Sequence, residues 1–264
     1  MAPLELSFGD VAISLVLMAL AIALSKLQGL GLEKNLAVGT VRAFAQLTLI
    51  GFALKVLFQA NSPWLLGLVL AVMLTVAGLE SVRRQAVRVP GYFLITLVAL
   101  VLALVVGLGV VAGLILRPDP WHSLNVLIPV SGMILGNGLN VISLSANRFL
   151  SDLQQRRDEV ETALSLAAPP RKAFQPVFRE SIASALIPSM NALMTVGLVQ
   201  MPGVMTGQIL AGQSPVEAVK IQMVVMMMWI ATGVVAGVAA MLLLMARLVN
   251  ARWQVRWELL QQAR

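Results

Sequence analysis

Tyr92-Phe-Leu-Ile-Thr-Leu-Val-Ala-Leu-Val-Leu-Ala-Leu-Val-Val-Gly-Leu-Gly-Val-Val-Ala-Gly-Leu-Ile-Leu116 contains no charged residue and no proline. It exceeds the roughly 20 apolar residues that cross a hydrocarbon layer as a helix. Backbone in that layer must satisfy its own hydrogen bonds, and a helix does so. The run therefore reads as a transmembrane helix. Working outward, six more spans follow: Phe8–Ser25, Leu36–Phe58, Trp64–Leu79, Leu124–Ala146, Ser181–Met201 and Ile221–Leu248. The last is uncharged over most of its length. The expected fold is all-α, a polytopic membrane protein of about seven transmembrane helices forming one permease domain over 1–264.

Composition agrees. Hydrophobic residues are 59% of the chain and charged residues 12%, where a soluble domain carries about 25% charge. Mean hydropathy is +0.88. There is no Cys and a single His, His122, which excludes disulfides and thiol chemistry and leaves no histidine metal site. Glu5 and Asp10 precede the first apolar run, with no basic segment before it, so the N-terminus does not read as a cleavable signal.

The +7 net charge is partitioned rather than clustered on a soluble face, so it does not read as a nucleic-acid patch. With the N-terminus outside, the inner side holds Lys26, Lys34, Arg83, Arg84, Arg88, Arg148, Arg156, Arg157, Arg171, Lys172, Arg179, Arg247, Arg252, Arg256 and Arg264. The outer side holds Arg117 and Lys220. The positive-inside rule then puts the C-terminus in the cytoplasm, and the inner charge suits anionic lipids. Trp253 and Trp257 beside Arg252 and Arg256 read as an interfacial amphipathic end.

The longest polar stretch is the cytoplasmic loop 148–179. Ser151 with Gln154 forms a capping-box pattern, and a helix is expected from there to about Ala168, where Pro169-Pro170 stops it. Val160, Leu164 and Ala167 share one face. That face either docks into a groove of another protein or packs on the chain's own bundle.

The stretch from Glu161 to Pro188 resembles the coupling loop of ABC-transporter permeases, a pattern of Glu-Ala-Ala, three residues, Gly, and a later Ile and Leu-Pro. Glu161, Ala163, Leu164 and Leu166 fit it, Leu186-Ile187-Pro188 resembles its close, and Ala167 stands where Gly is usual. Ile128-Pro-Val-Ser-Gly-Met-Ile-Leu-Gly-Asn-Gly-Leu-Asn140, Val199-Gln-Met-Pro-Gly-Val-Met-Thr-Gly-Gln-Ile-Leu-Ala-Gly212 and Arg42-Ala-Phe-Ala-Gln46 resemble the Fet-type ABC permeases. These are bacterial metal exporters related to plant aluminium-tolerance permeases, and the resemblance runs from about Leu36 to Trp257. It implies a homodimeric permease of the inner (plasma) membrane that exports a metal ion, iron foremost. A separate cytosolic ATP-binding subunit would hold ATP and Mg and dock at Glu161, Ala163, Leu164, Leu166 and Ala167.

Candidate path residues are Arg42, Gln46, Asn137, Asn140, Asn191, Met205 and Gln208. Arg42 and Gln46 lie one turn apart. A mid-membrane charge costs about 2.5–3.5 kcal/mol on insertion scales, but Arg42 is only about 9 Å of helix rise from Leu36. It either snorkels inward or faces the bundle. Asn191 either lines the path or bonds a neighbouring helix. Gly132-x-x-x-Gly136 either permits close helix packing or marks an unwound stretch whose carbonyls, with Asn137 and Asn140, face a path. Pro202–Gly212 reads as an outer gate or re-entrant element, or as a surface loop. The 14 Met residues offer thioethers for soft ions or simply fill space, and no metal-ligand set is visible. No phosphate loop occurs, so ATP is not bound by this chain and the chain is not an enzyme. The alternatives are a gradient-driven secondary transporter or channel, which would use embedded charged relays, and a seven-span receptor.

Overall fold

A computed structural model describes residues 7–60, 62–87, 89–250 and 252–260; Arg88 and Arg264 lie outside the described residues. These residues form ten α-helices: α1 (Phe8–Leu27), α2 (Glu33–Ala60), α3 (Pro63–Arg83), α4 (Tyr92–Val110), α5 (Leu124–Gln155), α6 (Arg157–Ser165), α7 (Pro170–Ala173), α8 (Gln175–Thr195), α9 (Gly203–Leu210) and α10 (Pro215–Leu248). From Val111 to Leu116 the helix of α4 widens into a π-helical turn. Among the described residues there is no strand, only two isolated bridges.

Among the described residues six helices are long and apolar enough to span a membrane: α1, α2, α3, α4 with its π-turn, α5 and α10. The chain is a multi-pass membrane protein. The expected span Ser181–Met201 is the exception. Its helix, α8, has 21 residues, enough length to cross, but Arg179, Glu180 and Asn191 dilute its hydropathy. Its buried residues Val177, Ser181, Ala185 and Ser189 recur every four positions, which is one helix face turned to a neighbour. The helix stops at Thr195, and residues 196–202 are a turn and bridge.

The chain divides into two compact units. In the first, α1 and α2 form a helical hairpin. Ser7 and Asp10 make a reciprocal capping box at the start of α1, which satisfies two of the orphan N–H groups there. The connecting turn is pinned by Ser25, whose Oγ donates to Glu33 Oε1 at 2.9 Å and accepts from Leu32 N at 3.2 Å.

The second unit centres on α5, which packs against α3, α4, α8 and α10. Phe149, Leu150, Leu153, Ile134 and Ile142 of α5 are fully buried, with Leu100 of α4 and Met241 and Leu244 of α10. Four buried hydroxyls are satisfied within their own helices: Ser131, Ser145, Ser181 and Thr232 each donate to the carbonyl four residues back, the economical arrangement where no water is available. Between helices, Ser81 and Thr96 share a buried hydrogen bond of 3.2 Å.

Three expectations about local structure change here. The Ser151–Gln154 capping box does not start a helix. α5 runs on through Gln155, because Phe149, Leu150 and Leu153 keep it anchored in the core. The Pro129–Gly138 stretch is not unwound but lies inside continuous α5. Gly132-x-x-x-Gly136 makes no tight contact either: a Cβ at Gly136 would meet nothing within 4 Å. Close packing falls instead to Gly233 and Gly237 of α10. A Cβ at Gly237 would sit 2.7 Å from Val141 Cγ1, and one at Gly233 would meet the Asn137 amide, so α10 and α5 approach only because both positions lack side chains. Beyond α10 the chain folds back through a Val249–Val255 bridge and a short 3-10 turn, burying Leu259 and Leu260.

Candidate functional site

In the second unit the helix ends alternate, so the cations sort by end. Arg84 bonds α5, Arg156 bonds α8, and Arg157 stacks over the Trp257 ring at 4.8 Å. With Arg83, Arg148, Arg171, Lys172, Arg179 and Arg247 they mark one basic end; Arg117 and Lys220 sit at the other.

At the basic end α6 makes a knuckle. Val160 is only 2% exposed, and Ala163 and Leu164 pack against the core. Of the stripe Val160, Leu164 and Ala167, the first two are turned into the chain's own bundle, one of the two alternatives its spacing left open. What protrudes is the end of the helix: Glu161, Leu166 and Ala167 are exposed, Leu166 at 78%. Glu161 accepts from Arg157 Nε at 3.1 Å. Ala167 adopts φ +61°, the left-handed region that favours Gly. Its N–H bonds the Leu164 carbonyl at 3.0 Å and the Ala168 N–H bonds the Ala163 carbonyl at 3.0 Å. That is the Schellman closure of a helix, made here by alanine at the place of the usual Gly.

Arg156, between α5 and α6, ties the knuckle to α8. It donates to Glu180 through two nitrogens, at 3.1 and 2.7 Å. These bonds, and then the Glu180 charge, hold the guanidinium pKa above its ordinary value.

Between α5, α8 and α10 lies a cleft of about 450 Å³ opening beside Arg84. Asn137, Asn140, Ser143 and Asn147 line it from α5, Pro188 and Ser189 from α8, and Trp229 from α10. Arg84 donates to Asn140 Oδ1 at 3.0 Å. Asn147 is a structural clamp: it donates to the Arg84 carbonyl at 3.0 Å and accepts from Ala86 N at 2.9 Å. Ser143 is 5% exposed and its Oγ has no partner, a costly state for a hydroxyl. Toward the opposite end is a second chamber of about 210 Å³, lined by Met133, Gln200, Pro202, Gly203, Gln222 and Met226 among others. Gln222 Oε1 is also buried without a partner. Trp229 lines both chambers, and Asn137 donates to its carbonyl.

The structure brings Asn137 and Asn140 into one cleft with Arg84, Ser143 and Trp229, and sets Gln222 in the second chamber; sequence reasoning missed these last four. Asn191 is exposed on α8 and lines neither chamber. Met205 and Gln208 lie on α9 outside the chamber walls, with Gln208 Oε1 buried and unpartnered. Pro202 and Gly203 do reach the second chamber. Arg42 and Gln46 are exposed on α2 of the first unit. Among the described residues no three His, Cys, Asp or Glu side chains converge as a metal cage.

The chain matches the description of an uncharacterised protein family, UPF0014, over residues 8–249. It is 38% identical over 238 residues to a UPF0014 membrane protein of Synechocystis sp., covering 90% of this chain and 92% of that one. It is 34% identical over 237 residues to the protein named ALUMINUM SENSITIVE 3 of Arabidopsis thaliana, covering 87% and 82%. It is 30% identical over 247 residues to the protein of Escherichia coli K12 named "Probable iron export permease protein FetB", covering 93% of each. No solved structure matches the chain.

Proposed function

This chain belongs to the UPF0014 family of membrane proteins, and from that membership we propose that it is the permease subunit of an ABC transporter exporting a metal ion, iron foremost. Two copies pair in the plasma membrane, N-termini outside and C-termini cytoplasmic, and each engages a cytosolic ATP-binding subunit that holds ATP and Mg. The iron reading rests on the FetB relative.

The observation that carries the reading is the knuckle. An exposed leucine beside a left-handed alanine, at the basic end of a membrane bundle, is a rigid apolar knob with nothing of its own unit over it. It suits a groove on a partner. Glu161, Leu166 and Ala167 make the contact, with Ala163 and Leu164 supporting it from beneath.

Force applied there has a route. The Arg156–Glu180 fork joins the knuckle to α8. Pro188 interrupts the hydrogen-bond ladder of α8, which makes it a natural hinge. Pro188 and Ser189 wall the cleft and Ala192 walls the second chamber, so bending α8 changes both. Trp229, about 21 Å of helix rise from the start of α10, stands between the chambers as the closed barrier. The walls offer amide and hydroxyl oxygens and thioethers rather than carboxylates, a weak set that lets an ion move on. Among the described residues lining either chamber Arg84 is the one ionisable group, which favours work supplied by a partner over a gradient-driven relay.

The test is stimulation of the partner's ATPase by the reconstituted permease. Leu166→Asp should cut stimulation at least tenfold, the equivalent of about 1.4 kcal/mol of lost coupling, with the permease still folded in the membrane. Undiminished stimulation would refute the docking site. Trp229→Ala should join the chambers and let solute leak without ATP; a tight Trp229→Ala vesicle would remove Trp229 from the barrier.

A further inference from the structure

At the same basic end, on the flank of α10 away from the cleft walls, two adjoining cavities share Arg171, Leu242 and Met245. The larger, about 560 Å³, is lined by Pro169, Arg171, Lys172, Gln175, Phe178, Arg179, Val238, Leu242 and Met245; the smaller, about 210 Å³, continues past Phe174 to Val249. Among the described residues no carboxylate lines either cavity. Among the described residues Arg171, Lys172 and Arg179 form no ion pair. Every other basic residue of the α5–α8 segment is paired: Arg148 with Asp152, Arg156 with Glu180, Arg157 with Glu161.

The floor is apolar and directional. Val238, Leu242 and Met245 recur at i, i+4 and i+7, a single stripe along α10, and Val249 extends the floor just past the helix end. The stripe runs about 10 Å from the charged rim toward the middle of a membrane-spanning helix. A soluble anion would use the cations but not the stripe. A protein segment would need its own apolar ridge carrying a negative charge at one end. A phospholipid has both parts in that order.

We propose that this groove is a binding site for an anionic phospholipid of the leaflet at the basic end. Arg171, Lys172 and Arg179 hold the phosphate headgroup, and an acyl chain lies along the α10 stripe. Cations near a membrane surface favour anionic lipid by roughly fivefold each, so three together amount to roughly 100-fold. The site is independent of the transported solute and of the docking knuckle.

The experiment is native mass spectrometry of the purified full-length protein with phosphatidylglycerol or phosphatidylcholine of matched chains, backed by melting in nanodiscs of each lipid. Wild type should retain phosphatidylglycerol at least tenfold better and melt higher in it. The triple variant Arg171→Gln, Lys172→Gln, Arg179→Gln should lose that preference. Arg252→Gln with Arg256→Gln, at the same end but outside the groove, should keep it. Val238→Trp, which fills the stripe and leaves the cations, should also lose retention. Equal retention of both lipids by wild type would overturn the site. So would full retention by the triple variant, or displacement of the lipid by millimolar inorganic phosphate. A triple variant that keeps phosphatidylglycerol but loses the ATP-binding subunit would reassign the groove to that protein.

Discussion

In α6, Val160 and Leu164 face the bundle, Val160 with 2% of its surface left; two residues past Leu164, Leu166 keeps 78% of its own. Both regions are apolar and both lie on the polar segment between α5 and α8. The difference is the helix face. With 3.6 residues per turn, Leu166 sits roughly 200° round from Leu164 and points away from the core, and the left-handed turn at Ala167 ends the helix directly after it. The inner set holds the segment in place and the outer set is free to engage something else, so stability and coupling should separate by position.

Substitutions ordered by their effect on stability can break that separation. The largest is Val160→Asp, which buries a charge without a partner. It should cost roughly 3 kcal/mol or more and be read as loss of the thermal transition in detergent; a normal melt would mean that α6 does not pack as described. Next is Gly237→Ala, which drives a methyl into Val141. It should cost about 1–3 kcal/mol, while Gly136→Ala stays within about 0.5 kcal/mol. Equal effects would undo the assignment of close packing to α10. Smaller and opposite in sign, Ala167→Gly should stabilise by about 1 kcal/mol, since it relieves a left-handed alanine, and should keep ATPase stimulation. The smallest is Leu166→Asp, expected within about 0.5 kcal/mol of wild type. A large destabilisation there would put Leu166 in the core set.

The same contrast explains what the sequence could carry. Tyr92–Leu116 is apolar on every side, so its reading needed no neighbour, and it matches α4 with its π-turn residue for residue. The 3.6-residue period in α6 marks a stripe but cannot say which surface covers it, and the bundle covered this one. Gly132–Gly136 and Gly233–Gly237 have the same spacing; only the three-dimensional approach of α5 and α10 tells them apart. Trp229 reads in sequence as one more apolar residue within a methionine-rich span. Its place between two chambers depends on α8 and α5, far away along the chain. Arg84 reads as a positive-inside marker, and Asn140 gives it a second role. The membrane class and the family, by contrast, rest on composition and local motifs, which survive without any packing information.

In the proposed function the work of transport is delivered from outside the bundle. The direct measurement is uphill solute movement in vesicles that hold the permease alone, with the proposed ATP-binding subunit, or with that subunit unable to hydrolyse ATP. The expected result is accumulation against the gradient only with the hydrolysing subunit present. Accumulation by the permease alone, driven by a proton or sodium gradient, would contradict it.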